Sequence, residues 1–519
     1  MYYFDIIEYL LAMKKNKFSD IFGTTLEEDV ALNNTITVQA KFKLCEEQEF
    51  ILYSIMEHLT HCRFIYFNLF VYPHKMDKFI EKNSLLITKK LKNKETNNIE
   101  NIQLKETFKV SNQTDGISLY IHLPFCESLC TFCGCNKRIT KRHEVESPYI
   151  QAVIKEWRMY CNLFSRKPNI KEIHLGGGTP TFFSTENLTL LINGIFETAN
   201  KAENYIFSFE GHPNNTTKEH LQTLYNLGFK RVSFGVQDYS PKVQEAIHRI
   251  QSFHNVSKVT LLAKEIGYTS IGHDLIYGLP FQTLADVEDT VLKTKSLLPD
   301  RISFYSYAHV PWLKGNGQRG FNDEDIPQSD AKRQLYELGK KMLLEIGYIE
   351  IGMDHFALPT DEMYTAFNNK KLHRNFMGYT ASKTDVMIGL GVSSISDSWN
   401  SFAQNEKSLD DYYSKIDANK LPVFRGHHLT AEDLIIRQHI LNLMCHFETT
   451  WDNETLFFPE IYEVLESLEE MQQDNLLIIQ DKKLIVTDLG KAYVRNICMA
   501  FDLRLKRAAP QTELFSMTI

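Results

Sequence analysis

The sequence has few of the features that mark membrane, secreted or nucleic-acid-binding proteins. Its longest mostly apolar run, residues 64–72, spans nine positions, whereas a helix that crosses a bilayer needs about 20. Its formal net charge of −8 provides no excess of Lys and Arg for a phosphate backbone. Nine cysteines in 519 residues are too few for a disulfide scaffold. We therefore expect a cytoplasmic globular protein with no membrane span and no nucleic-acid partner.

The cysteines that are present concentrate in one stretch. Residues 120–135 read YIHLPFCESLCTFCGC, an apolar strand that runs through a proline into four thiols, Cys126, Cys130, Cys133 and Cys135. Thiols at this density in a reducing compartment indicate a zinc site or an iron–sulfur cluster. The stretch is therefore the first candidate for chemistry.

The spacing of these thiols favours a cluster over zinc. A zinc site would take Cys135 as its fourth ligand, but Cys133 and Cys135 flank a single glycine and would reach one ion only with strain. Three ligands from the C-x3-C-x2-C motif on a four-iron four-sulfur cluster leave one iron open for a small molecule. Unligated core cysteines are the least favoured alternative.

A succession of βα units follows the cysteines. We predict strands at 118–123, 170–175, 205–210, 231–236, 270–277 and 301–307, and helices at 149–163, 185–199, 217–227, 241–248, 256–266 and 285–298. Such alternation predicts an α/β fold whose parallel sheet curls into a full or partial barrel or stays open and doubly wound. Six units favour a partial βα barrel, with its site at the C-terminal ends of the strands.

Three domains are predicted along the chain. Residues 1–112 form an N-terminal extension of unclear role, and residues 113–425 hold the partial barrel with its substrate-side loops. Residues 426–519 form a mostly helical, winged-helix-like domain, with helices at 431–443, 459–472 and 489–504 and strands at 477–479 and 484–486.

Polar or glycine-rich residues recur where the predicted strands end. Gly176-Gly177-Gly178-Thr179-Pro180 would let a ligand approach bare backbone, although a glycine-rich turn is often only a turn. Asp274 interrupts an apolar strand, where a carboxylate is costly unless it is paired or bound to a ligand. His355 and His373 are pocket candidates because each has a charged neighbour. Taken singly, such residues are more often structural.

Several motifs together resemble one family. The C-x3-C-x2-C motif after a strand, with Phe132 before its third cysteine and GGGTP one unit later, is similar to the radical S-adenosylmethionine (SAM) superfamily. YIHLPFC, the extra cysteine in Cys133-Gly134-Cys135, and the stretches FGVQDYSPKVQEAIHR, GHDLIYGLP, SYAHVP, GMDHFALP, LHRNFMGYT, FRG and RNICMAFD resemble the oxygen-independent coproporphyrinogen III oxidases. The resemblance covers residue 116 to the C-terminus.

The resemblance implies roles for individual residues. Cys126, Cys130 and Cys133 look like ligands of one 4Fe-4S cluster, and with Glu210 they are the predicted catalytic residues. The family holds two SAM molecules per chain. The first would meet Tyr120, Gly177, Glu210 and Ile395. The second would meet Phe132, Gly178, Thr179, Gln237, Arg249, Asp274 and Ala308.

The implied reaction is an oxidative decarboxylation. An electron enters the cluster, SAM is cleaved to methionine and a 5′-deoxyadenosyl radical, and the radical takes a hydrogen from the β-carbon of a substrate propionate. Loss of CO2 and one electron leaves a vinyl group, and two rounds convert coproporphyrinogen III into protoporphyrinogen IX. A flavodoxin or ferredoxin is the expected electron donor, and a monomer is expected.

Two alternatives accompany this reading, and two departures from the family are visible. The chain could be a radical SAM relative that acts on haem or another tetrapyrrole, or a haem-binding chaperone without oxidase activity. A Gly-Pro-Arg-Tyr-Thr-Ser-Tyr-Pro-like opening segment, usual in the family, is absent from residues 1–115. Glu210 is followed by Gly211-His212-Pro213, where the family tends to have an acidic residue before the proline.

Overall fold

The cysteine stretch begins on a strand of a 12-stranded sheet. The computed structural model describes residues 26–31, 35–40, 67–69, 104, 107–311, 318, 321–452 and 456–508. The chain divides into two units, Met1–Lys94 and Glu95–Ile519. In the first unit the described strands β1 (Leu26–Ala31), β2 (Thr35–Ala40) and β3 (Phe67–Leu69) form one sheet in the order β1-β2-β3.

Six parallel strands form the centre of the second unit and confirm the predicted βα succession. They are β4 (Ile117–Leu123), β7 (Asn169–Gly177), β8 (Asn200–Gly211), β9 (Phe229–Gln237), β10 (Ser270–Tyr277) and β11 (Arg301–Ser306). They lie side by side in chain order. All seven residues of β4 are buried, as expected for a strand covered on both faces. The short strands β5 (Phe125–Cys126) and β6 (Arg138–Ile139) form a separate parallel pair beside this sheet.

Six further strands, which the sequence did not predict, extend the sheet at both edges. Beyond β11 lie β13 (His355–Ala357) and β12 (Ile349–Gly352), and beyond β4 lie β16 (Met387–Leu390), β17 (Ile395–Asp397), β18 (Ser401–Asn405) and β19 (Val423–His428). Only β16 is parallel to its neighbour β4. The outermost strands β12 and β19 do not pair with each other, so the barrel is open, as predicted.

Helices follow the parallel strands and cover the sheet. They are α1 (Glu146–Cys161), α2 (Thr185–Phe196), α3 (Lys218–Leu227), α4 (Pro241–Ala246), α5 (Phe253–Ile266), α6 (Leu284–Leu297) and α7 (Ser329–Ile346). Side chains of Ser184, Thr217, Ser252 and Thr283 cap the N-termini of four of them, which satisfies otherwise unpaired backbone N–H groups. The predicted helices are therefore confirmed, with ends shifted by a few residues.

The remaining elements lie after α7. They are α8 (Glu362–Asn368), β14 (His373–Asn375), β15 (Gly378–Thr380), α9 (Leu409–Asp417), α10 (Ala431–His446), β20 (Glu448–Thr450), α11 (Ile461–Glu466), α12 (Glu469–Gln473), β21 (Leu477–Gln480), β22 (Lys483–Val486), α13 (Val494–Phe501) and α14 (Leu503–Ala508).

Two predicted C-terminal helices are wrong as continuous elements. The predicted helix 459–472 is broken into α11 and α12 at Ser467, whose hydroxyl donates to the Val464 carbonyl and competes with the helical backbone bonds. The predicted helix 489–504 begins as a 3-10 turn and is interrupted at Asp502, whose carboxylate accepts the Leu505 N–H and caps α14.

A second hydrophobic core joins this helical region to the strands beyond β11. It contains Ile351 and Tyr379 together with Leu443, Leu484 and Phe501. This core has members on both sides of residue 425. The predicted domain boundary at that residue stays a prediction. Among the described residues, no helix combines the length and hydrophobicity of a membrane span.

Candidate active site

The loop that holds the four thiols, residues 126–135, is called the cysteine turn below. It is anchored on two sides by hydrogen bonds to backbone carbonyls. On one side β6 pairs with β5, and the Thr140 N–H donates to the Cys126 carbonyl at 2.9 Å. On the other side the Thr131 N–H donates to the Ile247 carbonyl at 3.0 Å, and its hydroxyl donates to the Ala246 carbonyl at 3.1 Å. The loop that holds the thiols is therefore fixed between β5 and the end of α4.

The thiols have different partners. The Cys126 Sγ lies 3.4 Å from the Thr179 hydroxyl, and burial raises the pKa of this thiol to about 11. Arg249 Nη1 lies 3.6 Å from the Cys130 Sγ. A hydrogen bond from the Cys135 thiol, with Lys137 nearby, lowers the pKa of Cys133 to about 6. Cationic donors thus face two of the three predicted ligands, an arrangement that favours thiolates.

The glycine turn after β7 lies directly against the start of the cysteine turn. The Gly178 N–H donates to the Leu123 carbonyl at 2.8 Å, and the Thr179 N–H donates to the Phe125 carbonyl at 3.0 Å. A Cβ at Gly178 would lie 2.6 Å from the Pro124 carbonyl carbon. A Cβ at Gly177, where φ is +112°, would lie 2.6 Å from the His122 ring. Glycine is therefore required here by close approach.

Glu210, near the end of β8, has a carboxylate held by two donors. His174 Nε2 lies 3.3 Å from one oxygen, and the Gly177 N–H donates to the other at 3.3 Å. Burial raises the pKa of Glu210, but the hydrogen bond and charge of His174 and the Gly177 N–H outweigh it, so this pKa lies below its usual value. The group is an anion suited to binding an amino group.

Asp274 and Gln237 face the same space from β10 and β9. Burial raises the pKa of Asp274 to about 6, although its carboxylate accepts a hydrogen bond of 2.7 Å from Ser233. Gln237 has φ of +68°, and the register between β9 and β10 shifts beside it, at Leu275. Such a backbone conformation is uncommon outside glycine and asparagine and often marks a functional site.

These residues line one cleft with an empty volume of about 900 Å3. Eleven of the predicted site residues contribute to its wall: Cys126, Cys130, Phe132, Cys133, Gly177, Gly178, Thr179, Glu210, Gln237, Arg249 and Asp274. Residues as far apart in the sequence as Cys126 and Asp274 therefore converge at the C-terminal ends of the parallel strands.

The other three predicted site residues lie beside the cleft without lining it. Tyr120 is on β4, with its ring centroid 6.1 Å from that of His174. Ile395 begins β17, where its backbone lies against Gly389, the residue opposite Tyr120 in the β16–β4 pair. Ala308 follows β11, and its carbonyl accepts a bond from Gln318, which also donates to the Phe132 carbonyl at 3.3 Å.

The structure also brings in residues that the sequence does not single out. His122 Nε2 donates to the Asn136 carbonyl at 2.8 Å, so its Nδ1 can accept from the Tyr120 hydroxyl 3.0 Å away. Lys137 lines the cleft and donates to the Cys133 carbonyl at 2.9 Å. The two-residue period of a strand could have indicated His122, because it lies on the same face of its strand as the predicted site residue Tyr120. By the same period, His174 lies on the same face as Gly176.

A second cavity adjoins the cleft inside the barrel. It shares Glu210 and Asp274 with the cleft, and His355 and Tyr305 are among its other lining residues. His355, a predicted pocket residue, has its Nδ1 buried without a hydrogen-bond partner. His373, the other pocket candidate, lines neither of these two cavities.

The thiol arrangement fits a cluster better than a single ion. Within the residues that the structure describes, no three His, Cys, Asp or Glu side chains converge for one metal ion. Yet the three thiols of the C-x3-C-x2-C motif border the same cleft, as does Cys135. A four-iron cluster gives each cysteine its own iron, so it needs thiols around a common space rather than around one point.

Residues 120–293 match the Radical SAM superfamily. An oxygen-independent coproporphyrinogen III oxidase from Synechocystis is 36% identical over 412 residues, which cover 78% of this chain and 88% of that protein. The same-named Escherichia coli protein is 37% identical, with 78% and 89% covered. The solved structure of coproporphyrinogen III oxidase (HemN) from Escherichia coli matches with a TM-score of 0.72 at 36% identity, covering 75% of this chain and 91% of that one. The chain belongs to the oxygen-independent coproporphyrinogen III oxidases of the radical SAM superfamily.

Proposed function

We propose that the chain converts coproporphyrinogen III into protoporphyrinogen IX without oxygen. Two propionate side chains each lose CO2, one hydrogen atom and one electron, and each becomes a vinyl group. The observation that carries the proposal is the cleft in which three thiols, a glycine edge, Glu210 and Arg249 meet. When bound, the reduced cluster and SAM supply the 5′-deoxyadenosyl radical that removes the hydrogen atom.

Cys126, Cys130 and Cys133 would hold one 4Fe-4S cluster. The Arg249 guanidinium beside Cys130 and the Thr179 hydroxyl beside Cys126 would stabilise sulfur ligands that carry negative charge. Cys135 is exposed, and its thiol lowers the pKa of the neighbouring Cys133, which supports an orienting role rather than a fourth ligand position.

The charges of the cleft suit SAM, which has an amino group, a carboxylate and ribose hydroxyls. Glu210 would bind the amino group of a first SAM, with Tyr120, Gly177 and Ile395 around it. Arg249 would bind the carboxylate of a second SAM and Asp274 its hydroxyls or amine. The other residues around the second SAM would be Phe132, Gly178, Thr179, Gln237 and Ala308.

The stoichiometry of two SAM molecules can be tested directly. Anaerobic equilibrium dialysis of the reconstituted chain with labelled SAM should give two molecules per chain. The Arg249→Gln variant should bind one, because its guanidinium is assigned to the second SAM and not to the first. The iron content of the variant is measured first, because the same guanidinium lies 3.6 Å from the Cys130 Sγ. A wild-type stoichiometry of one would contradict the assignment of the second set.

Several further features belong to the proposal. The enzyme would work as a cytoplasmic monomer and take its electron from a flavodoxin or ferredoxin. Residues 113–425 would form the catalytic domain, residues 426–519 a helical domain beside it, and residues 1–112 an extension of unclear role.

The decisive experiment is anaerobic reconstitution followed by incubation with SAM, a reductant and coproporphyrinogen III. Mass spectrometry should show stepwise loss of two CO2 and formation of two vinyl groups, and the Cys130→Ala protein should leave the substrate unchanged. SAM cleavage with an unchanged substrate mass would overturn the proposed substrate and favour a radical SAM enzyme for haem or another tetrapyrrole. Stoichiometric haem binding without SAM turnover would favour the chaperone alternative, which the names of the relatives do not support.

A further inference from the structure

A cluster of cations borders the cysteine turn in an otherwise acidic chain. Four of the six residues from 137 to 142 are Lys or Arg, namely Lys137, Arg138, Lys141 and Arg142, against a net charge of −8 for the whole sequence. We call these four residues the basic ribbon. A charge run of this kind is usually only a solvated face, so its position and surroundings decide whether it has a role.

The basic ribbon is hydrogen-bonded to the strand that ends in the first predicted cluster ligand. Arg138 on β6 pairs with Phe125 on β5, and Ile139 pairs with Cys126. Neighbouring strands lie about 4.8 Å apart, so the outer edge of β6 is one strand away from the chain that carries Cys126. Lys137, the first residue of the ribbon, also lines the cleft itself.

The cations of the ribbon are largely free of anionic partners. The described residues provide no ion pair for Arg138, Lys141 or Arg142, all of which are exposed. Two carboxylates lie close to the ribbon in the sequence. The Glu127 carboxylate lies 3.8 Å from the His143 ring, and Glu144 is exposed to solvent. The ribbon is therefore a local positive surface.

Exposed apolar side chains accompany the ribbon. Ile139, between its cations, is 41% exposed, and Leu129, on the cysteine turn, is 38% exposed. Apolar side chains surrounded by charge are typical of a protein–protein contact. A nucleic acid is disfavoured, because four cations beside Glu127 and Glu144 form too small a footprint for a phosphate backbone.

We propose that the basic ribbon is the docking surface for an acidic one-electron carrier protein. The inference rests on the proposed function, which needs one electron from outside for each SAM cleaved. The carrier is oxidised by one electron and the cluster is reduced by one. Docking on β6 would place the carrier beside Cys126 and leave the mouth of the cleft to SAM and substrate.

The test compares two variants with the same charge change. Lys141→Glu/Arg142→Glu reverses two exposed cations of the ribbon and leaves Lys137 and the cysteine turn intact. Lys258→Glu/Lys295→Glu reverses two exposed cations on α5 and α6, on the helical layer. Both proteins are reconstituted as full chains, and equal iron content and visible absorbance establish that each has folded and loaded its cluster.

Cluster reduction is followed by loss of visible absorbance after anaerobic mixing with pre-reduced flavodoxin or pre-reduced ferredoxin. At low salt the ribbon variant should be reduced about tenfold more slowly than wild type, because electrostatic steering changes association rates by this order or more. The difference should shrink at about 0.5 M salt, where charges are screened. The control variant should resemble wild type, and dithionite should reduce all three proteins equally. The affinity for oxidised flavodoxin, measured by calorimetry, should fall in parallel.

Equal rates for the ribbon and control variants with both carriers would overturn the docking site. A defect with one carrier alone would support the site and identify the carrier. Reduction is measured before substrate is added, so a failure of decarboxylation would count against the proposed function and leave this comparison unaffected. Lys141→Gln/Arg142→Gln, which removes charge without reversing it, should show an intermediate defect.

Discussion

Each thiol of the cysteine turn has a distinct environment. Cys130 is buried with a guanidinium 3.6 Å away, and Cys126 lies beside a hydroxyl. Cys135 is exposed, and its thiol lowers the pKa of the neighbouring Cys133. All four cysteines therefore border the cleft, but only the three of the C-x3-C-x2-C motif are predicted ligands, and the exposed Cys135 acts on its neighbour Cys133.

This division predicts different losses for two alanine variants. Cys130→Ala should abolish the visible absorbance of the reconstituted cluster and the cleavage of SAM, because it removes a ligand. Cys135→Ala should keep part of the cluster, because it removes a neighbour of a ligand rather than a ligand. Iron content and absorbance per chain are the measurements. Full iron and turnover in the Cys130→Ala protein would show that this thiol is not a ligand.

Glu156 on α1 is a buried carboxyl away from the cleft. It accepts hydrogen bonds from the Gly391 N–H, the Tyr412 hydroxyl and the Asn405 amide. Burial nevertheless raises its pKa from 4.5 to about 7. The group joins α1 to the turn after β16, which leads into Ile395.

The raised pKa of Glu156 predicts a pH-dependent stability. The folded chain holds this proton more tightly than the unfolded chain, so the stabilisation is complete below pH 4.5 and is lost as pH rises through about 7. The loss amounts to about 3 kcal/mol at most. Glu156→Gln keeps the group neutral, so its unfolding free energy in urea should fall less between pH 5 and pH 8 than that of wild type. Glu345→Gln, at an exposed carboxylate, should follow wild type, whereas parallel curves for Glu156→Gln would contradict the role of Glu156.

At the scale of elements, the site depends on how closely the glycine turn after β7 approaches the cysteine turn. Backbone bonds from Gly178 and Thr179 hold the segment from Leu123 to Phe125. A Cβ at Gly178 would meet backbone atoms of Pro124 rather than the end of a flexible side chain. An added Cβ at Gly178 would therefore push the two turns apart.

Gly178→Ala should displace the cysteine turn, at a cost of about 1–3 kcal/mol for overpacking. We expect the variant to fold and to take up much less iron on reconstitution. Gly134→Ala is the matched control, because a Cβ there meets no atom within 4 Å, and it should load like wild type. Normal iron uptake by Gly178→Ala would mean that the close contact does not position the thiols.

The sequence predicts elements well where the pattern is repeated and buried. The six parallel strands alternate with amphipathic helices, and β10 has the predicted bounds of 270–277. The strands at both edges escaped prediction because they are three to six residues long and carry no long β-branched run. They become strands because a neighbouring strand of the assembled sheet offers unpaired backbone groups, which is a tertiary effect.

The site residues likewise divide into those that a local motif predicts and those that come together only in the assembled fold. Cysteines and glycines at fixed spacing can be read from the chain because their chemistry is local. His174 has no such local pattern, and its partner Glu210 lies 36 positions away. The strain at Gln237 and the contact of Gln318 with the Phe132 carbonyl also arise only when the strands are assembled.

At the scale of the whole molecule, the C-terminal helices and the site are connected through the hairpin of β14 and β15. Tyr379 on β15 donates its hydroxyl to the Met444 carbonyl on α10 at 2.8 Å. In the turn between β14 and β15, the centroid of the Phe376 ring lies 5.0 Å from that of the Tyr120 ring. Packing in the helical region should therefore influence order next to the cleft.

Leu443 on α10 allows this connection to be tested, because it is fully buried in the second core with Tyr379. Leu443→Ala should destabilise the protein by about 2–5 kcal/mol and loosen the contact between α10 and the hairpin. Backbone amides of residues 375–380 should then exchange hydrogen faster, as measured by mass spectrometry. Leu224→Ala removes a fully buried leucine from the main core on α3, so it should cost similar stability and leave hairpin exchange nearly unchanged. Faster exchange in the hairpin of both variants would indicate general destabilisation, whereas an effect of Leu443→Ala alone would establish that α10 supports the wall of the site.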